Sequence, residues 1–244
     1  MVLAAGLGTR MQPLTAKTPK ALLTVTGRTL LDYALDRICE AGIGHAVVNA
    51  HWHAEQIAAR LRARAAREPG RLDMALQTEP DLLDTGGAVR QALATGALPS
   101  DSPFLVVNGD SLWLDGPIPA IARLANGFDG ARHDALLLVA RTATVIGQVG
   151  DGDFAIDEPG RLRRPREHEI VPYVFAGVQM LSPRLFDDAP PPPFSMNLLW
   201  DRALASGRIA ALVHDGPWFH LSRPADIADT ERAIRDPLFG PSNT

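Results

Sequence analysis

Cysteine, lysine and long apolar runs are the scarce elements of this 244-residue chain. Cys39 is the one thiol, so neither an intramolecular disulfide nor a multi-cysteine metal site can form, which fits a reducing cytoplasm. No apolar stretch approaches the roughly 20 residues of a membrane-spanning helix. The apolar start is brief, lacks a basic n-region and passes straight into a glycine-bearing loop, which is not the pattern of a signal peptide. A cytoplasmic location with no membrane partner is the expectation. A net charge of −4 argues against a general nucleic-acid binder, so any anion site must be local. Of the 24 basic residues 22 are arginine, and the two lysines, Lys17 and Lys20, lie in one loop.

That loop is the richest feature present. The short run Val2, Leu3, Ala4 leads directly into Gly6, Gly8, Thr9, Arg10, Pro13, Thr15, Thr18, Pro19 and Lys20. A strand that runs into a glycine-bearing, basic loop can cradle a polyphosphate, because bare backbone N–H groups reach its oxygens and cations neutralise the remaining charge. Lysine offers a compact, mobile point charge where arginine offers a planar fork, so two ammonium groups here point to phosphate. With only about four residues, the first strand is short against the usual five or six, and a native start a few codons upstream is the expectation.

Alternating strand and helix patterns fill the first 140 residues. Leu31, Ala34, Leu35 and Ile38 recur at helical spacing before Gly42. Ala46 to Val48 is a buried strand, Ala54 to Ala66 a helix and Leu72 to Leu76 a strand. Thr85 to Leu93 is a helix with Asp84 as candidate N-cap, and Phe104 to Val107 the most apolar strand. This order predicts right-handed βαβ units and an α/β fold with a mostly parallel sheet between helices. Ligands in such sheets bind beyond the strand C-terminal ends, where the first loop, the 84–87 turn and Asn108-Gly109-Asp110 all fall. From about Gly147 the texture changes. Gly150, Gly152, Pro159 and Gly160 punctuate short strands at Phe154 to Asp157, Leu162 to Arg164 and Tyr173 to Met180, which read as hairpins of a lid or substrate lobe. Pro190 to Pro193 is a stiff connector, Ser195 caps a helix from Asn197 to Ala205, and Pro224 opens a last helix to about Arg235. A single domain over 1–244 results, with a nucleotide-binding half to about 140 and a substrate lobe with C-terminal helices after it.

The spacing Gly6-x-Gly8-Thr9-Arg10-x-x-Pro13-x-Thr15, then Thr18-Pro19-Lys20, is neither a Walker A loop nor a dinucleotide fingerprint. It resembles the signature of the sugar-1-phosphate nucleotidyltransferases, a family of Rossmann-like, three-layer α/β/α enzymes (EC 2.7.7.-). The resemblance implies that the Ala5, Gly6, Gly8 and Thr9 backbone holds the base and phosphates of an NTP. It gives Arg10 the leaving pyrophosphate and Lys20 the α-phosphate or the sugar phosphate. Leu83-Asp84-Thr85-Gly86-Gly87 resembles the family's turn beside the nucleobase, which assigns Thr85 and Gly87 to the nucleotide; Asp84 also reads as a plain cap. Asn108 then faces the nucleotide. Asp110, after an apolar strand, is the expected Mg²⁺ ligand, since that ion takes one or two protein carboxylates and fills its shell with phosphate and water. Among the family's branches the likeness is greatest to the N-acetylmuramate-1-phosphate uridylyltransferases of cell-wall recycling, which favours UTP, and next to the mannose-1-phosphate guanylyltransferases.

The chain departs from the family at its C-terminal metal motif, Trp-x-Asp-x-Gly-Thr, which here reads Trp218-Phe219-His220-Leu221-Ser222-Arg223. Three readings of His220 stay open: it binds a phosphate directly, it supports a Mn²⁺-tolerant site, or the metal rests on Asp110 and substrate oxygens alone. Gly150 resembles part of the hairpin before the sugar pocket, and Gly177, in Tyr173-Val174-Phe175-Ala176-Gly177, the glycine that admits the sugar. Arg164 stands nearest to the lysine that relatives direct at the sugar phosphate, against the alternative of a solvated hairpin arginine. His51 and His53 lack further partners at ligand spacing and read as loop residues. Two alternatives to an NDP-sugar synthase remain: a non-catalytic nucleotide-sugar-binding regulatory protein, and a guanylyl- or cytidylyltransferase of the same fold. A monomer or homodimer is expected.

Overall fold

The computed structural model describes residues 1–157 and 161–236. The expected turn at Pro159-Gly160 lies outside them. Among the described residues the strands are β1 (Val2–Leu3), β2 (Thr24–Val25), β3 (Arg28–Thr29), β4 (His45–Ala50), β5 (Asp73–Thr78), β6 (Phe104–Asn108), β7 (Leu112–Trp113), β8 (Ala135–Arg141), β9 (Ala155–Ile156), β10 (Leu162–Arg163), β11 (Tyr173–Leu181), β12 (Ile209–Val213) and β13 (Trp218–Phe219). The α-helices are α1 (Leu30–Glu40), α2 (Ala54–Arg67), α3 (Asp84–Ala94), α4 (Ala120–Gly127), α5 (Met196–Ala205) and α6 (Pro224–Arg235).

Seven strands form one sheet in the order β12-β8-β11-β6-β1-β4-β5. Pairing is parallel from β6 through β1 and β4 to β5, and between β8 and β12, while β11 runs antiparallel to both β6 and β8. Side chains alternate between the two faces. In β8, Leu136, Leu138 and Ala140 join the core under α1, α2 and α4, and Ala135, Leu137 and Val139 join the core under α3 and α5. A strand buried on both faces needs such an unbroken apolar run, which β8 supplies. Helix ends follow their local chemistry. Thr29 Oγ1 accepts from Asp32 N at 3.1 Å to start α1, and Ser195 Oγ accepts from Asn197 N at 3.3 Å to start α5. The three-layer Rossmann-like class read from the sequence is the one observed.

One expected element changes place. The strand predicted over Tyr173–Met180 forms as β11, but it lies in the middle of the main sheet instead of in a lid hairpin. The short pair β9–β10 keeps the hairpin character of its segment. A third, smaller core joins the two ends of the chain: Met11, Leu23, Val25 and Leu30 pack with Leu112, Phe219 and Leu221, and Ile227, Ala233 and Ile234 of α6 close over them.

Candidate active site

Strands β1, β4, β5 and β6 are parallel and end at one edge of the sheet, so the turns that follow them meet there. After β1 the chain coils through short 3₁₀ turns at Thr9–Met11, Leu14–Ala16 and Lys20–Leu22. Gly8 makes the coil possible. Its φ is +61°, and a Cβ there would stand 3.0 Å from both the Lys20 Cβ and the Thr15 Cγ2. Thr15 Oγ1 donates to Gly8 O at 2.7 Å, which pins the fold-back and brings Lys20 beside the glycine.

Two cavities open along this edge. The smaller, of about 310 Å³, is lined by the Ala4–Thr9 loop with Asn49, Glu79, Asp84 and Thr85. The larger, of about 910 Å³, is lined by the Gly147–Asp153 segment, Gly177 and the Trp218–Arg223 segment. Arg10, Lys20, Asn108, Asp110 and Ser222 line both and so form the wall between them. On that wall Lys20 Nζ donates to Asp110 Oδ2 at 2.6 Å, with the lysine side chain 16% and the carboxylate 35% exposed. The Arg10 guanidinium has no ion pair or hydrogen bond among the described residues.

His220 faces the larger cavity. Its backbone N–H donates to Ile146 O at 2.8 Å, while its ring has no hydrogen-bond partner among the described residues. Burial, aided by the positive charges of Lys20 and Arg10, pushes its pKa below the ordinary histidine value despite Asp226 and Asp110. At neutral pH the ring is therefore a neutral imidazole that can offer one N–H.

A buried polar clasp in the wall of the smaller cavity has no counterpart in the sequence reading. Ala4 N donates to Asn49 Oδ1 at 2.7 Å, and Asn49 Nδ2 donates to Glu79 Oε1 at 2.7 Å. Leu83 N donates to Glu79 Oε2 at 3.1 Å. Glu79, 2% exposed, thus ties together the turns after β1, β4 and β5. The signal available was an asparagine inside the apolar run Ala46-Val47-Val48-Asn49-Ala50, since a buried amide must find partners.

Of the residues singled out from sequence, Ala5, Gly6, Gly8, Thr9 and Thr85 line the smaller cavity, and Gly150 and Gly177 the larger. Gly177 has φ +80° at an irregularity in the β8–β11 pairing, and a Cβ there would collide with the Ser111 hydroxyl. Two residues lie elsewhere. Gly87 is inside α3, where a Cβ would sit 2.9 Å from Pro192 Cβ; with Gly86 it lets the 192–194 segment approach, and both N–H groups donate to Phe194 O at 3.0 Å. Arg164 is drawn away from the cleft: it stacks 4.7 Å from the Phe154 ring centroid, pairs with Asp201 at 2.8 Å and donates to Asn197 Oδ1 at 2.7 Å. Asp84 is the first residue of α3, and its Oδ1 accepts from Thr85 N at 2.6 Å. His51 Nδ1 lies 2.8 Å from Glu79 O and His53 Nδ1 3.1 Å from Glu55 Oε1.

A Rossmann-like fold whose two cavities share one wall is the layout expected of a nucleotidyltransferase. The chain belongs to the MobA-like NTP transferase domain family, whose model matches residues 1–221. It is 39% identical over 224 residues, 92% of this chain and 91% of the relative, to an N-acetylmuramate α-1-phosphate uridylyltransferase of Caulobacter vibrioides. A second uridylyltransferase of that name, from Neisseria meningitidis serogroup B, is 36% identical over 77% of this chain and 76% of its own length. In fold the chain is similar to a UDP-glucose pyrophosphorylase complexed with UDP-glucose, with a TM-score of 0.75 at 17% identity over 96% of each chain. No helix among the described residues is long and apolar enough to cross a membrane.

Proposed function

We propose that the chain transfers UMP from UTP to N-acetylmuramate 1-phosphate, releasing pyrophosphate and forming the UDP-sugar for cell-wall recycling in the cytoplasm. The observation that carries this reading is the wall shared by the two cavities. A triphosphate in the smaller and a sugar phosphate in the larger would meet at Lys20 and Asp110. The two uridylyltransferases among the relatives support the choice of UTP and of the sugar.

The acceptor phosphate attacks the α-phosphorus in line, forming one P–O bond as the bond to pyrophosphate breaks. No general base is required, because a phosphate monoester with a second pKa near 6 is already largely dianionic at neutral pH. Catalysis then rests on position and charge. Lys20 bridges the α-phosphate and the acceptor phosphate, Arg10 takes the leaving pyrophosphate, and the neutral His220 ring donates to an acceptor oxygen. The Ala5–Thr9 backbone, Thr85 and Asn108 hold the nucleotide, and Gly150 and Gly177 leave room for the sugar. All these groups belong to one chain, so one chain suffices, whether the protein is a monomer or a homodimer.

The donor set fits a hard divalent ion that relies on its substrate. No group of three or more His, Cys, Asp or Glu side chains that could hold a metal exists among the described residues, whereas Mg²⁺ needs only one or two carboxylates when phosphates complete its shell. Asp110 would hold such an ion, with His220 nearby, and the ion would neutralise charge on the triphosphate oxygens. Pyrophosphate release across a matrix of the four NTPs and several sugar 1-phosphates, with Mg²⁺ or Mn²⁺, tests the reading. Greatest turnover is expected with UTP and N-acetylmuramate 1-phosphate, and nucleotide binding with no release for any pair would sink it.

A further inference from the structure

The larger cavity contains a cation that the reaction just described does not use. The 146–148 segment runs alongside the 218–220 segment: Ile146 N donates to Trp218 O at 3.1 Å and His220 N returns a bond to Ile146 O at 2.8 Å. Gly147, at φ +113°, is forced to be glycine because a Cβ would strike His220 O. This pairing sets Gln148 opposite Arg223, and Arg223 Nη1 donates to Gln148 Oε1 at 2.9 Å. A neutral amide steers the guanidinium without quenching its charge. Among the described residues no carboxylate lies within 4.0 Å of the Arg223 guanidinium nitrogens, although Lys20 on the same cavity is matched by Asp110. Its own backbone N–H is already satisfied by Asp226 Oδ2 at 2.7 Å, so the side chain has no capping duty that explains it.

Position decides what it meets. Arg10 and Lys20 line both cavities and so reach the phosphates, whereas Arg223 lines the larger one alone and faces what the sugar carries. We propose that Arg223, steered by Gln148, is a specificity-determining residue that reads a carboxylate borne by the sugar ring of the acceptor. An unpaired guanidinium fork matches a carboxylate bidentately. Resting on the proposed function, this makes the lactyl ether carboxylate of N-acetylmuramate its ligand. The same sugar without that ether, N-acetylglucosamine 1-phosphate, is the natural comparison.

Steady-state kcat and KM are measured for both sugar phosphates with wild type, Arg223→Met and Gln148→Leu, with circular dichroism melts of each. The wild type is expected to prefer the lactyl-bearing sugar. Arg223→Met should reduce that preference about ten- to a hundred-fold through KM, as loss of a charge-assisted contact implies. Gln148→Leu, which frees the guanidinium without removing it, should give a smaller loss in the same direction. A preference kept in Arg223→Met, or an equal rise in KM for both sugars, overturns the assignment while leaving the proposed function standing. A wild type with no preference for the lactyl-bearing sugar overturns both.

Discussion

The smaller cavity is walled by the ends of parallel strands and the loops that leave them, whereas the larger is walled by segments that meet from distant parts of the chain. Residues 3–21 supply half of the first wall in one continuous piece, held by the Asn49–Glu79 clasp. The second wall joins the Gly147–Asp153 segment, a glycine in β11 and the Trp218–Arg223 segment. Under the proposed function a nucleoside triphosphate is the constant substrate, and it would meet a continuous loop backed by fixed hydrogen bonds. The acceptor would then meet side chains on segments paired from distant parts of the chain, His220 and Arg223 among them.

If the shared wall is the reacting centre, Lys20→Ala should lower kcat by about two to three orders of magnitude, the loss typical of a group that stabilises transition-state charge. The partly exposed Asp110 left behind is solvated, so the melt should barely move. A near wild-type rate in Lys20→Ala would refute the division of labour between the cavities. Gly177→Ala probes chiefly the acceptor side. Strain at φ +80° and the collision with Ser111 should destabilise the fold by about 2 to 3 kcal/mol and raise KM for the sugar phosphate more than for the NTP. Equal changes in both KM values would blur the two compartments into one.

Glu79→Gln probes the nucleotide side. The carboxylate accepts from two donors, and a carboxamide has one acceptor oxygen to offer, so one buried donor loses its partner at about 1 to 3 kcal/mol. A higher KM for NTP with the sugar-phosphate KM unmoved is the expected pattern in the same kinetics. His220→Asp restores a second carboxylate beside Asp110, and activity with Mg²⁺ relative to Mn²⁺ should rise a few-fold. An unchanged ratio places His220 outside any metal shell. Smallest of all, Arg164→Ala should remove about 0.5 to 1 kcal/mol of stability from the Phe154 stack and the half-exposed Asp201 pair, seen in a melt, with KM values unaltered.

The smaller cavity was largely legible in the sequence because one local loop carries both its glycines and its lysine, and helical and strand periods located the elements beneath it. Asp110 was readable as the acid that follows an apolar strand. The acceptor side resisted for three physical reasons. β11 carries Gly177 in its interior and lies in a glycine- and proline-punctuated stretch, so its period resembles a hairpin, and only its pairing with β6 and β8 reveals a central strand. Gly87 is expected to let the backbone approach the nucleotide, yet a glycine reports close approach without naming what approaches, here Pro192 and Phe194. Arg164 precedes a proline as the family's lysine does, but two aromatic rings and Asp201 offered the guanidinium a better home than the cleft. Glu79 has no period to reveal it and Asn49 shows only as an amide inside an apolar run; their partners disclose their work.

The small core joining Met11 and Leu23 to Phe219, Leu221 and α6 also fixes an order of events. During synthesis the loop that carries Met11 leaves the ribosome about two hundred residues before the segment on which it rests. A nascent chain therefore carries this loop before the residues that pack on Met11 and Leu23 have been made. Removing residues from 218 onward would take Trp218, Phe219, Leu221 and α6 away together and leave Met11 and Leu23 without their cover.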